Sequence, residues 1–83
     1  MYPKSLQEAV DHILLGMDQK DREEIANSEK DKLIFFHHGW GTRIRNEVGL
    51  WHGNKDLLRN IGETHPDAAS MKIIEALWER LQN

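Results

Sequence analysis

Cysteine is missing altogether from this 83-residue chain, so neither a disulfide nor a thiolate metal site can staple it. That absence fits a reducing compartment, and the expected location is the cytoplasm. Long apolar runs are missing as well: none approaches the roughly 18 residues that span a bilayer. Ile13-Leu14-Leu15 is too short for the core of a signal peptide, and no proper basic region precedes it. A soluble protein with no membrane partner is the expectation. There are no strand-like alternating stretches, internal repeats or low-complexity segments.

Positive charge is also scarce. The net charge is −3, unevenly placed. Residues 1–32 carry 5 basic and 8 acidic side chains, residues 33–62 carry 4 and 2, and residues 63–83 carry 2 and 4. The middle is mildly basic between acidic ends. General nucleic-acid binders show a far stronger basic footprint, so nucleic acid is not an expected partner. The acidic run Asp18–Asp31 reads as a solvated face or as a docking surface for a basic partner, and composition does not separate the two.

Eighty-three residues predict a single domain over 1–83. That length is near the lower limit for folding on a hydrophobic core alone. With no disulfide to help, the three tryptophans are expected to carry much of that core. Each contributes about 4–6 kcal/mol as an upper bound if fully buried.

The pattern along the chain is helical. Ser5 is an N-cap with Glu8 completing a capping box, and Leu6, Ala9, Val10, Ile13, Leu14 and Met17 follow at helical spacing. A first helix is therefore predicted over Ser5–Met17, then a short second one from Asp18 to about Ala26. Ser28 is read as the cap of a third helix over Glu29–Val48. On it Leu33, Phe36, His37, Trp40, Ile44 and Val48 share one face, with Phe35 on the other side, as if the helix were buried on more than one side. Gly39 and Gly41 each cost roughly 1 kcal/mol in a helix. The 3.6-residue period nevertheless survives across them, which favours a continuous helix over a break. Gly49 is a natural stop, after which Leu50 and Trp51 are expected to fold back onto the core. Asn54 caps a fourth helix that Gly62 ends. Thr64-His65-Pro66-Asp67 opens a fifth, with Met71, Ile74, Leu77, Trp78 and Leu81 as its apolar stripe. The predicted fold is all-α, a compact single-domain bundle of four to five helices.

Chemistry has little to work with. Adjacent helix residues point about 100° apart, so His37 and His38 do not share a mononuclear metal site, and His37 reads as a hydrogen-bonded core histidine. No HExxH pattern and no phosphate-binding GxxxxGK[ST] loop occurs. His37, His38, Arg43, Arg45, Asn46, His52 and Asn54 loosely evoke a histidine–asparagine nuclease, but no metal-binding set or base-bearing hairpin accompanies them. No catalytic residue, metal or cofactor is assigned.

The densest stretch is Phe35–Asn54, which holds two of the three tryptophans, both phenylalanines and four of the six glycines. Arg43, Arg45, Asn46, Trp51, His52 and Asn54 are the binding candidates there, because arginine and tryptophan dominate binding hot spots. The competing reading is architectural. Arg43 pairs with Glu47 four residues on, while Arg45 and Asn46 secure the helix end.

At Phe36-His37-His38-Gly39, Ile44-Arg45-Asn46 and Gly49-Leu50-Trp51, followed by His65-Pro66-Asp67-Ala68-Ala69-Ser70, the chain resembles a functionally uncharacterised family of small bacterial helical domains. Its pattern is IRNxxGLW and then HPDxxS, and the resemblance covers roughly residues 33–75. It implies a small helical bacterial domain and transfers no catalytic residue. It marks Arg45, Asn46, Gly49, Leu50, Trp51, Pro66, Asp67 and Ser70 as pattern positions. A polar clasp joining Arg45 or Asn46 to Asp67 and Ser70 would make the two motifs halves of one feature.

The expected role is an interaction or regulatory module with a protein partner at the Arg43–Asn54 surface. The alternative is an anion- or phosphate-ligand-binding domain, or weak enzyme, using the His/Arg cluster. A purely structural domain or small homo-oligomer is the third reading, and the oligomeric state stays open.

Overall fold

The computed structural model describes residues 2–82. Helix α1, Leu6–Leu15, starts where Ser5 Oγ accepts from the Glu8 amide, and it stops at Gly16. Helix α2, Gln19–Ala26, is capped by Asp18, whose carboxylate accepts from the Asp21 amide at 2.9 Å. A 3-10 helix follows over Lys30–Phe36, and then α3 over Trp40–Glu47. A single 3-10 turn, Leu50–His52, leads to α4, Lys55–Ile61, and to the long α5, Pro66–Leu81.

Among the described residues there are six helices of seven residues or more, rather than four to five. The difference is the expected third helix, which is two. A 3-10 helix has three residues per turn, so Leu33 and Phe36 fall on one side. Leu33 is buried and Phe36 packs on the core, while Ile34 and Phe35 are 55% and 78% exposed. Phe35 thus lies in water rather than against a second packing partner. The chain turns at His37–Gly39 before α3 begins. Gly39 has no neighbour that a Cβ would touch, so it is not a close-approach glycine. Ser28 does not cap this segment. Its hydroxyl donates back to the Glu24 carbonyl, and its own carbonyl accepts from Trp78 Nε1 at 2.8 Å.

Helix α5 is the hub, with α1, α2, α3, α4 and the 3-10 helix all packed against it. The core is aliphatic: Val10, Ile13, Ile25, Leu33, Ile44, Val48, Leu57, Ile73, Ile74 and Leu77 are sealed from solvent or nearly so. The tryptophans do not carry it. Trp40 and Trp78 are half-buried at its margin, and Trp51 is 54% exposed. An indole N–H needs a partner when buried, and Trp78 finds one only by sitting at the edge. After Gly49 only Leu50 turns inward. Gly49 adopts φ +73°, and a Cβ there would overlap the Tyr2 ring, so glycine is required on both counts. Among the described residues, no helix is long and apolar enough to cross a membrane.

Candidate functional site

Among the described residues Arg45 is the one buried charged side chain, with 7% of its surface exposed. It follows Ile44 on α3, one step round from the core face, and so points along the α3–α5 seam. Its Nη1 donates to Ser70 Oγ at 3.0 Å, and its Nη2 donates to Thr42 Oγ1 at 3.0 Å. Its Nε lies 3.5 Å from Asp67 Oδ1. That last contact is an ion pair but not a hydrogen bond, because Nε has no acceptor in bonding geometry. The Ser70 hydroxyl in turn donates to the Asp67 carbonyl at 2.9 Å. Gly41 makes room for this arrangement: a Cβ there would lie 3.0 Å from Arg45 Nη1 and 3.7 Å from Ser70 Oγ.

Arg45, Asp67 and Ser70 therefore converge. Asn46 does not join them; its side chain is exposed on the other side of α3. Thr42, which sequence reasoning passed over, takes part. Its signal was a hydroxyl three residues before the arginine, on the same helix face. His37 borders the clasp, with Nδ1 3.6 Å from the Cβ position of Gly41. It is half-buried and packs edge-on to His38, and its Nδ1 makes no hydrogen bond, contrary to a hydrogen-bonded core histidine.

The other binding candidates divide. Arg43 is committed within the fold: it pairs with Glu47 at 3.3 Å, donates to the Gly16 carbonyl at 3.2 Å and lies over the Trp40 ring at 4.7 Å. Asn54 is committed too. Its amide donates to the Pro3 and Val48 carbonyls at 2.8 and 2.7 Å, while its oxygen caps α4. Trp51 and His52, like Asn46, are turned outward. Trp51 meets His65 edge-on, with ring centroids 6.1 Å apart, and His52 stacks on Tyr2 at 6.3 Å. Tyr2, Trp51, His52 and His65 are all exposed. His65 and Tyr2 were not among the sequence candidates. The histidine of the HPDxxS element was the available signal for the first, and nothing in the sequence marked the second.

His65 has a second task. Its Nδ1 accepts from the Asp67 amide at 3.1 Å and so caps α5. A 3.9 Å approach of the same nitrogen to Asp67 Oδ2 would be an ion pair only with Nδ1 protonated. The two are incompatible, and the cap is the better geometry at the shorter distance. Among the described residues, no group of three His, Asp or Glu side chains converges as a metal site.

A family model described as a domain of unknown function, DUF6794, matches residues 2–81. No curated protein and no solved structure matches the chain.

Proposed function

The chain belongs to the DUF6794 family, and from that premise we propose that it is a small non-enzymatic interaction module that offers the Trp51–His65 surface to a protein partner. The observation that carries this reading is a half-exposed indole held between two glycines in left-handed conformation, Gly49 and Gly53. Trp40 and Trp78 pack against the margin of the core, whereas Trp51 does not. Its indole is displayed, with His65 edge-on to it and the exposed Tyr2–His52 stack at the next residue. Exposed aromatic clusters on otherwise polar domains mark interaction sites, and tryptophan is the residue most enriched among binding hot spots.

An anion ligand at the His/Arg cluster is the weaker reading, because Arg43 and Arg45 both have internal partners. An anion would have to displace a carbonyl, a hydroxyl or a carboxylate to reach either guanidinium.

The test is capture. The tagged domain and its Trp51→Ala variant are used to enrich proteins from an extract of the source cell, with quantification by mass spectrometry. The expected result is a defined protein set whose yield falls at least about tenfold in the variant, the scale of a hot-spot truncation. Circular dichroism checks that the variant keeps its helices. Equal yields from both proteins would refute the reading, as would no enrichment over the tag alone.

A further inference from the structure

Beside His65, between α4 and the connection to α5, lies a groove of about 300 Å³ lined by Lys55, Leu58, Arg59, Glu63 and Thr64. We propose that this groove binds an acidic peptide segment of the partner, which seats one aliphatic side chain on Leu58 between Lys55 and Arg59. The inference rests on the interaction reading above and names the chemistry of the partner.

The floor is apolar and incompletely covered. Leu57 and Ile61 turn into the core, whereas Leu58 is only half-buried. The walls are cationic. Lys55 and Arg59 are four residues apart and so stand one above the other on the same face of α4. Among the described residues no carboxylate pairs with Lys55, and Arg59, with a side chain 77% exposed, has only a 3.7 Å contact to an Asp56 that is itself 58% exposed. Such a surface pair gives way readily to a better partner. The one acid of the wall is already engaged: Glu63 lies 3.0 Å from Lys72 Nζ. Among the described residues, the groove thus offers one unpaired cation, Lys55, and one weakly paired cation, Arg59, around an aliphatic seat.

Local charge supports the same choice. Around the groove, the cations Lys55, Arg59 and Lys72 outnumber the acids Asp56 and Glu63 by one, in a chain of net charge −3. An acidic segment is therefore favoured here over the acidic α2 side, since complementary charge steers encounter. Nucleic acid fits less well, because a phosphate backbone is normally held by several more cations than two. Thr64 precedes His65 in the chain, and His65 lies against Trp51, so the groove and the aromatic surface are joined through one short segment.

The probe is the peptide acetyl-Glu-Glu-Leu-Glu-Glu-amide, titrated into the isotope-labelled full chain and followed by amide chemical shifts. Controls are the same peptide with lysine for glutamate, the peptide with serine for leucine, and inorganic phosphate. Shifts at Lys55, Leu58, Arg59 and Thr64 are expected, saturating with the acidic leucine peptide and weakening severalfold from about 0.05 to about 0.5 M salt. The serine peptide should bind several times more weakly. The K55E/R59E variant, altered only at exposed side chains, should lose at least about tenfold in affinity. Its milder relative K55Q/R59Q provides the same test should charge reversal disturb α4. The proposal is overturned by an absence of localised shifts, by equal binding of the lysine peptide, or by phosphate reproducing the pattern. Trp51-dependent capture with no peptide binding would reject the acidic-peptide chemistry alone. Capture indifferent to Trp51 would reject the interaction surface itself.

Discussion

Replacing Ser70 by alanine should expose how much the buried clasp contributes. Ser70 is fully buried, and its hydroxyl is the acceptor for Arg45 Nη1 at 3.0 Å. Alanine removes that acceptor and leaves a charged N–H facing a methyl group in a site that water does not reach. Loss of a hydrogen bond to a buried charged group costs about 1.5–3 kcal/mol. Two smaller effects oppose it. Alanine is a better helix former than serine by about 0.5 kcal/mol. The Asp67 carbonyl, which accepts from the same hydroxyl at 2.9 Å, lies within the first turn of α5 and does not depend on Ser70 alone. The net loss should be about 1–2.5 kcal/mol. For a domain of this size that lowers Tm by about 4–8 °C per kcal/mol. Urea and thermal unfolding, followed by circular dichroism, give the value. The decisive step is a double-mutant cycle with Arg45→Met. Without the guanidinium, Ser70→Ala should cost little, so the coupling should be at least about 1 kcal/mol. A cost within about 0.5 kcal/mol of zero, or one unchanged on the Arg45→Met background, would refute the assignment of that energy to the Arg45–Ser70 bond.

Three further substitutions test the architecture. Gly41→Ala gains about 1 kcal/mol of helix propensity, but its Cβ would crowd Arg45 Nη1 at 3.0 Å. It should destabilise the native protein in urea and stabilise the Arg45→Met variant, so the same sign on both backgrounds counts against the crowding. Gly49→Ala must hold φ +73° and displace the Tyr2 ring, so a loss of at least about 1–3 kcal/mol is expected in the same assay. Asn54→Ala removes the α4 cap and two bonds to backbone carbonyls, for a loss of about 2 kcal/mol. Faster amide exchange in residues 2–6 and in α4 should accompany it.

Much of the fold could be read from local chemistry. The caps Ser5, Asp18 and Asn54 all accept from the amide three residues on. Such caps are legible because a short polar side chain and its own helix's orphan amide are neighbours in sequence. The 3-10 helix was not legible. Leu33 and Phe36 are spaced by three, which suits a 3-10 helix and an α-helix alike, and Trp40 four residues on extends the α-helical pattern past the point where the 3-10 helix ends. Only tertiary packing tells them apart, by leaving Ile34 and Phe35 in water. The fate of the tryptophans was hidden for a related reason. Hydrophobicity ranks an indole as core, but its size and its N–H favour the margin of a small aliphatic core. In the candidate site, the proximity of Arg45 to Asp67 and Ser70 could be guessed from motif order. The internal commitments of Arg43 and Asn54 depend on carbonyls of Gly16 and Pro3, which lie far away in sequence.

The two pattern elements meet twice, and the two meetings are mechanically linked. Inside, Arg45 of the first element reaches Asp67 and Ser70 of the second. Outside, Trp51 of the first rests against His65 of the second. His65 also caps α5 through the Asp67 amide, so the ring that touches Trp51 is fixed to the same helical turn that Arg45 holds. Gly49 ends α3 at the other side of Trp51. The indole is therefore attached at both ends to the α3–α5 seam, which the clasp bridges. Loosening the clasp should then be felt at the surface. In Ser70→Ala, under conditions where the protein remains folded, the Trp51 indole resonance should move or broaden, while that of Trp78, bonded to the Ser28 carbonyl away from the clasp, should stay in place. A destabilised Ser70→Ala protein with an unchanged Trp51 resonance would mean that the clasp stabilises the fold without positioning the surface.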